Sequence, residues 1–383
     1  LLGSRHGLNR KGERNDMNAK KTAAAVLAAA ALACGLAVPA GALGQPNITA
    51  GTTMGEIRAN ESLQASGFDT YDRNVLIPEQ PWMYDDWTLE EYLGGTAPDA
   101  AQGLNLVIDN YNRGVQVTYQ IYTPEEIAAD PSKAEVQLYY FPAETENARY
   151  ALVVPGNMYE KSAKMREGCS VSYHMHQMGY ASFVLRYSVG RDNGDNAAYN
   201  DLVRAVRFIT ENAEMFGVQP EDYALVGFSA GGQMCGVFGT SRMGYKTYGL
   251  PKPGALLLGY PVINYMYAKP LYFYLYDGAE SGDSLAPGDY YYNIEVAAEV
   301  DGDFPPVYHW FGLNDATLML MDIFCQGPAL DKALEESGVP HQMVIFRNAR
   351  HRTSVGTGTD AAGWLYDAVD FWEAVTAEEE KGE

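Results

Sequence analysis

The sequence predicts an α/β fold built on one mostly parallel central sheet with helices on both faces. Three observations carry that expectation. From residue 114 onward, short β-rich segments give way to strands alternating with helix-period segments. The apolar run Ala224-Leu-Val226 leads directly into Gly227-Phe-Ser-Ala-Gly231 and then into a segment that can continue as a helix. Hydrophobic residues make up 47 % and charged residues 20 % of the 383, an ordinary globular balance. That length suits one large domain with appendages or two small ones.

The chain opens with a targeting pattern. Met17-Asn-Ala-Lys-Lys21 supplies a positive start, 23–38 an apolar run, and Val38-Pro-Ala40 and Ala40-Gly-Ala42 small-residue cleavage options. The run is too short and too Ala-rich for a membrane span. Residues 17–42 therefore read as a secretory signal peptide and 1–16 as an upstream extension. The protein is expected to be secreted or held in the cell envelope, with no membrane insertion of its mature form. A lipid anchor at Cys34 is the alternative. The formal net charge of −22 argues against nucleic acid or an anionic membrane surface as a partner. Beyond the signal, Cys169, Cys235 and Cys325 show no metal spacing and cannot all pair, so they read as buried small residues.

Residues 43–113 read as an extension wrapping the main domain, 114–377. The stretch 43–105 is rich in Gly, Thr, Asn, Asp and Pro and lacks sustained periodicity; a short helix capped by Thr88 is expected over 87–93. Strands are expected at 115–122, 136–141, 150–154, 181–187, 224–226, 255–259, 306–312 and 341–346. Helical spacing covers 169–179, 201–210, 233–238, much of 318–337 and a closing segment, 360–375.

Gly227-Phe-Ser-Ala-Gly231 has the G-x-S-x-G form of a strand-to-helix turn that exposes a serine hydroxyl to a base and to backbone N–H donors. The serine needs that base, and the base needs an acid to orient it. After Ser229 three histidines remain: His309 inside an apolar strand, His341 at the start of one, and His351 in the loop Arg347-Asn-Ala-Arg-His-Arg-Thr-Ser-Val-Gly356. His351 is the preferred base, because a loop at the carboxyl edge of the sheet could reach the serine, whereas His309 and His341 read as structural. Asp315, closing Phe311-Gly-Leu-Asn-Asp315, is the preferred acid over Asp322, which is expected within the following helix. The oxyanion hole should combine the backbone N–H of Ala230 with that of Asn157 or Met158 in the loop after the 150–154 strand. His174 and His176, two apart on a helix, face different ways and make a poor metal pair; neither a metal nor any other cofactor is expected.

Taken in order, Pro155-Gly-Asn-Met-Tyr159, Gly179-Tyr-Ala-Ser-Phe-Val-Leu-Arg-Tyr187, Asp201-Leu-Val-Arg-Ala-Val-Arg207, Gly227-Phe-Ser-Ala-Gly-Gly232, Gly259-Tyr-Pro-Val262, Gly312-Leu-Asn-Asp315 and Arg350-His351 resemble the α/β-hydrolase superfamily. Within it, the likeness is to the secreted acetyl-esterase and xylan-esterase-like enzymes of the carboxylesterase group. The resemblance implies Ser229 as nucleophile, Asp315 as acid and His351 as base. Two departures stand out. Asn157 and Met158 occupy positions where the family usually has glycine, and Arg352 follows His351 where the family often has glycine.

The interval 260–292 holds nine tyrosines and is expected to form a cap over the site. Such rings suit stacking on sugars or phenolic groups, or simple packing. Tyr159, Tyr272, Tyr274 and Tyr276 are the candidate substrate contacts. The expected activity is hydrolysis of carboxylic esters, with a small ester or an acylated carbohydrate as substrate. A serine peptidase of the same fold, or a non-catalytic binding protein with a degenerate oxyanion hole, is the alternative.

Overall fold

The computed structural model describes residues 47–70, 84–156, 163–189, 196–264 and 294–382. The expected signal peptide and Cys34 lie outside them. Among the described residues, no helix is long and apolar enough to cross a membrane.

The sheet has the strand order β1-β2-β4-β3-β5-β6-β7-β8. These strands are β1 Thr118–Gln120, β2 Gln137–Phe141, β3 Tyr150–Val154, β4 Ala181–Arg186, β5 Ala224–Phe228, β6 Ala255–Gly259, β7 Val307–Gly312 and β8 His341–Phe346. β2 runs antiparallel to β1 and β4, and every other neighbouring pair is parallel. The mostly parallel sheet is as the sequence predicts. β3, β5 and β6 are buried at every position, which explains why they read as continuous apolar runs rather than alternating ones.

Among the described residues the helices include α1 Met54–Ala59, α2 Glu61–Ser66, α3 Leu89–Leu93, α4 Ala97–Asn112, α5 Ser170–Gln177, α6 Ala197–Glu211, α7 Ala230–Gly239, α8 Ala316–Leu320, α9 Gly327–Ser337 and α10 Trp364–Gly382. The two faces of the sheet are visible within β7. Tyr308 and Trp310 point one way and pack on Trp364 of α10, with ring centroids 6.2 and 5.7 Å apart. His309, between them, points the other way, toward Asp331 of α9 at 3.8 Å. Period-2 alternation thus puts α9 and α10 on opposite faces.

Two sequence expectations need correction. Residues 43–105 do contain sustained helix: α4 buries Ala97, Ala100, Ala101, Gly103, Leu104, Val107 and Ile108, an i, i+3, i+4, i+7 stripe. Its apolar face is made mostly of alanine and glycine, so the period is weak in hydrophobicity even though the packing is close. α3 forms where expected, with Thr88 and Glu91 closing a capping box. The segment 318–337 is also interrupted. Asp322, at φ 57°, separates α8 from α9 and caps the turn Ile323–Cys325, so it is not inside a helix. Cys169 and Cys235 are buried as read, but Cys325 is only partly so.

One buried cluster runs from Ile48 through the sheet to Trp372 of α10. The closeness of α4 to it can be tested at Gly103, where a Cβ would lie 2.2 Å from the Cys169 carbonyl oxygen. Alanine normally favours a helix interior by about 1 kcal/mol over glycine. Overpacking should reverse that sign, and Gly103→Ala is predicted to lower unfolding stability by about 1–3 kcal/mol in urea titrations.

Candidate active site

The site is assembled along the carboxyl edge of the sheet, where loops from adjacent parallel strands converge. Ser229 follows β5, Tyr260 follows β6, Asp315 lies three residues beyond β7, and the loop after β8 carries His351. Ser229 has φ 50° and ψ −119°, a conformation that a side chain adopts only under constraint. The constraint is visible: Ser229 N–H donates to Gly259 O at 3.3 Å, and Ser229 O accepts from Val262 N–H at 3.0 Å.

Small residues around the turn are required by contact. A Cβ at Gly231 would lie 2.0 Å from the Val154 carbonyl oxygen. At Gly156 it would meet Phe228 O at 2.6 Å and the Ser229 Cβ at 2.8 Å. The end of β3 is therefore pressed against the serine turn with no room for a side chain between them.

His351 Nε2 lies 2.9 Å from Ser229 Oγ, and its Nδ1 lies 2.8 Å from Asp315 Oδ2. Asp315 is fully buried, and its other oxygen accepts the Leu318 N–H at 2.9 Å as the cap of α8. A carboxylate only accepts, so the proton on His351 belongs on Nδ1, leaving Nε2 free to accept from the serine hydroxyl. Ala230 is the first residue of α7, directly after the serine. The structure thus brings Ser229, Asp315, His351 and Ala230 together. Asn157, Met158, Tyr159, Tyr272, Tyr274 and Tyr276 lie outside the described residues.

The other candidates sit elsewhere. His309 and His341 face Asp331, at 3.8 and 3.6 Å. Burial lowers the His309 pKa, with Asp331 opposing the shift. The Asp322 carboxylate accepts the Phe324 N–H at 3.2 Å and so caps its own turn. His174 Nδ1 lies 3.0 Å from the Tyr366 hydroxyl, and His176 Nδ1 lies 3.3 Å from Pro142 O. No cluster of three or more His, Cys, Asp or Glu able to hold a metal occurs among the described residues. Arg352, where the resemblance expects glycine, has φ 70°, the left-handed conformation that glycine adopts without strain.

Sequence reasoning missed Glu167 and Tyr260. Glu167 sits in a π-helical turn, Lys164–Cys169, and is 1 % exposed. One carboxylate oxygen accepts the Gly156 N–H at 2.6 Å and the other the Tyr260 hydroxyl at 2.7 Å. The Tyr260 oxygen in turn accepts the Ser354 N–H at 3.1 Å, and its ring centroid lies 4.8 Å from that of His351. Burial pushes the Glu167 pKa up, against the pull of the Gly156 N–H, the Tyr260 hydroxyl, Arg352 and Arg166. No sequence signal marked this residue, because Lys164-Met-Arg-Glu167 reads as a solvated polar stretch.

The BD-FAE family matches residues 136–247, a stretch that contains Ser229 but not Asp315 or His351. An acetylxylan esterase of Xylanibacter ruminicola is 28 % identical over 150 residues, covering 39 % of this chain and 30 % of that protein. An endo-1,4-beta-xylanase B of Butyrivibrio fibrisolvens is 25 % identical over 225 residues, covering 56 % and 34 % respectively. The chain spans about a third of the length of these two relatives. Among solved structures, an acetyl ester-xyloside bifunctional hydrolase from Caldicellulosiruptor lactoaceticus superposes with a TM-score of 0.53. It shares 20 % identity, over 68 % of this chain and 96 % of that one. At that identity the likeness shows the fold, which is that of the α/β hydrolases, and the sequence resemblance to their esterase-like members holds.

The strain at Ser229 has a measurable signature. Both Ser229→Ala and Ser229→Gly remove the hydroxyl, but only alanine keeps a Cβ at φ 50°. Backbone strain of this kind is worth about 1–3 kcal/mol, partly offset by glycine's freedom in the unfolded chain. Ser229→Gly is therefore predicted to be the more stable of the two by about 1 kcal/mol in denaturant unfolding.

Proposed function

For a chain with the α/β-hydrolase fold and this constellation, we propose an exported serine esterase that removes short acyl groups from carbohydrate. The observation that carries the proposal is the continuous hydrogen-bonded line from Ser229 Oγ through both nitrogens of His351 to Asp315, at 2.9 and 2.8 Å. In the first step Ser229 Oγ attacks the ester carbonyl while His351 Nε2 takes its proton. Asp315 stabilises the imidazolium and holds the tautomer. The tetrahedral oxyanion is met by the backbone N–H of Ala230 and a second N–H from Asn157 or Met158. The Gly156 N–H is already donated to Glu167 and does not contribute. Collapse expels the alcohol, protonated by His351, and leaves an acyl group on Ser229. His351 then deprotonates a water that attacks the acyl-enzyme, and the carboxylic acid departs.

Support for the substrate class comes from the names of the relatives, an acetylxylan esterase and a xylanase, and from the tyrosines of 260–292. Export is supported by the charged, apolar and small-residue succession of 17–42.

Hydrolysis of p-nitrophenyl esters from acetate to octanoate tests the reaction, and release of acetate from acetylated xylan fragments tests the substrate class. Turnover is predicted to favour the short acyl chains and to fall by at least about 10³-fold in Ser229→Ala. Asp315→Asn should lower kcat by about 10²–10⁴-fold, because the amide favours the wrong histidine tautomer. Equal turnover by wild type and Ser229→Ala would refute the nucleophile, and activity on simple esters without any on acetylated xylan would refute the substrate class.

A further inference from the structure

The esterase chemistry proposed above uses Ser229, His351 and Asp315, yet the group that physically joins the two sides of the site is a buried carboxylate outside that set. We infer that Glu167 is a positioning residue: its two oxygens hold the end of β3 beside Ser229 through the Gly156 N–H and the histidine loop through the Tyr260 hydroxyl. The inference rests on the esterase reading only for its kinetic readout, since the linkage itself is geometric.

Each arm of the link ends against a residue of the constellation. On one side, Gly156 lies against the serine turn, where a Cβ would meet Phe228 O at 2.6 Å and the Ser229 Cβ at 2.8 Å. The close contact of Gly156 with Ser229 means that a shift of this loop is a shift against the nucleophile. On the other side, Tyr260 reaches the base twice. Its hydroxyl accepts the N–H of Ser354, three residues beyond His351, and its ring packs on the imidazole. Tyr260 is itself fixed from below, held in place by its N–H to Trp310 O at 2.7 Å and by ring contacts to Phe228 and Trp310 at 5.5 and 5.1 Å.

The turn bearing Glu167 is built to hold it there. It is π-helical, a wide turn common at functional positions, and Ser354 Oγ donates to the Arg166 carbonyl oxygen at 2.8 Å. A carboxylate suits the task because both partners are donors and Glu167 is buried. Glutamine presents only one oxygen. If that oxygen keeps the Gly156 N–H, the amide NH₂ confronts the Tyr260 oxygen, and the tyrosine proton loses its acceptor. Replacement by glutamine therefore preserves volume and breaks one arm.

The test combines Glu167→Gln, Tyr260→Phe and the double variant, with each preparation counted by its stoichiometric reaction with a fluorophosphonate. Glu167→Gln is predicted to lower kcat per active site by about 10–100-fold while KM for p-nitrophenyl acetate moves less than about threefold, the mark of misplaced reacting groups. Tyr260→Phe keeps the ring against His351 and should lose about 3–10-fold. Because the phenylalanine change acts through the same link, adding it to Glu167→Gln should change kcat by less than about twofold further. A purely structural Glu167 would instead lower thermal stability and the fraction of competent sites, leaving kcat per site intact, and that result would overturn the inference. So would losses that multiply in the double variant.

Failure of the esterase reading is told apart by a readout that needs no substrate. The His351 Nδ1–H, hydrogen-bonded to Asp315, is expected to give a far-downfield proton resonance. In a wild type without ester turnover, a resonance that moves or broadens in Glu167→Gln and Tyr260→Phe would uphold the positioning role. An unchanged resonance would refute it.

Discussion

The strained turn at Ser229 is the constraint on which the rest of the structure depends. Holding a side chain at φ 50° requires neighbours that prevent relaxation, and two strand ends with the segment after one of them supply these. β6 fixes the turn through Gly259 O, the segment after it through Val262, and β3 by direct contact at Gly156 and Gly231. Such contact is available only where parallel strands end side by side, so the sheet topology and the strained serine turn are one requirement. The glycines in the turn and in α7, a helix buried along its whole length, follow from it. They are poor helix formers, and tertiary packing holds that helix in place of propensity.

A second requirement is that polar groups taken out of water at this crowded junction each find a partner. Asp315 meets His351 and the start of α8, and Glu167 meets Gly156 and Tyr260. Leaving any of these donors or acceptors unpaired would cost about 1–3 kcal/mol, so the network stands or falls as a unit. It also reaches outward. Lys164, in the same turn as Glu167, lies 3.3 Å from Asp69, and Arg166 donates to the Tyr92 carbonyl oxygen at 3.2 Å and to that of Leu93. The residues before β1 thus pack on the turn that carries the bridging carboxylate. Substitutions far from Ser229 in sequence can therefore be felt at the site through that one turn.

Much of the candidate site is legible in the sequence: Ser229 is marked by its glycines, Asp315 by its place just after β7, and His351 by its loop among three histidines. His309 lies inside a strand that is buried at every position, which leaves it no route to the edge. The long helix α4 was not legible, since a face in which alanines and a glycine outnumber Leu104, Val107 and Ile108 carries little hydrophobic contrast. Nor was the break at Asp322, which depends on a left-handed backbone conformation that no neighbouring residue announces.

What the sequence by itself determined was the order of elements and the chemical identity of the candidate reacting groups. Strand runs, helix periods and the G-x-S-x-G turn are local patterns, and local sterics and periodicity are enough to read them. Only the tertiary structure decided which buried charges matter. Glu167 and Tyr260 are 93 positions apart in the chain, and neither has a local pattern that distinguishes it. Their role arises because two loops from different strands close over one carboxylate, and burial away from solvent turns an ordinary glutamate into a group that must be shared between them.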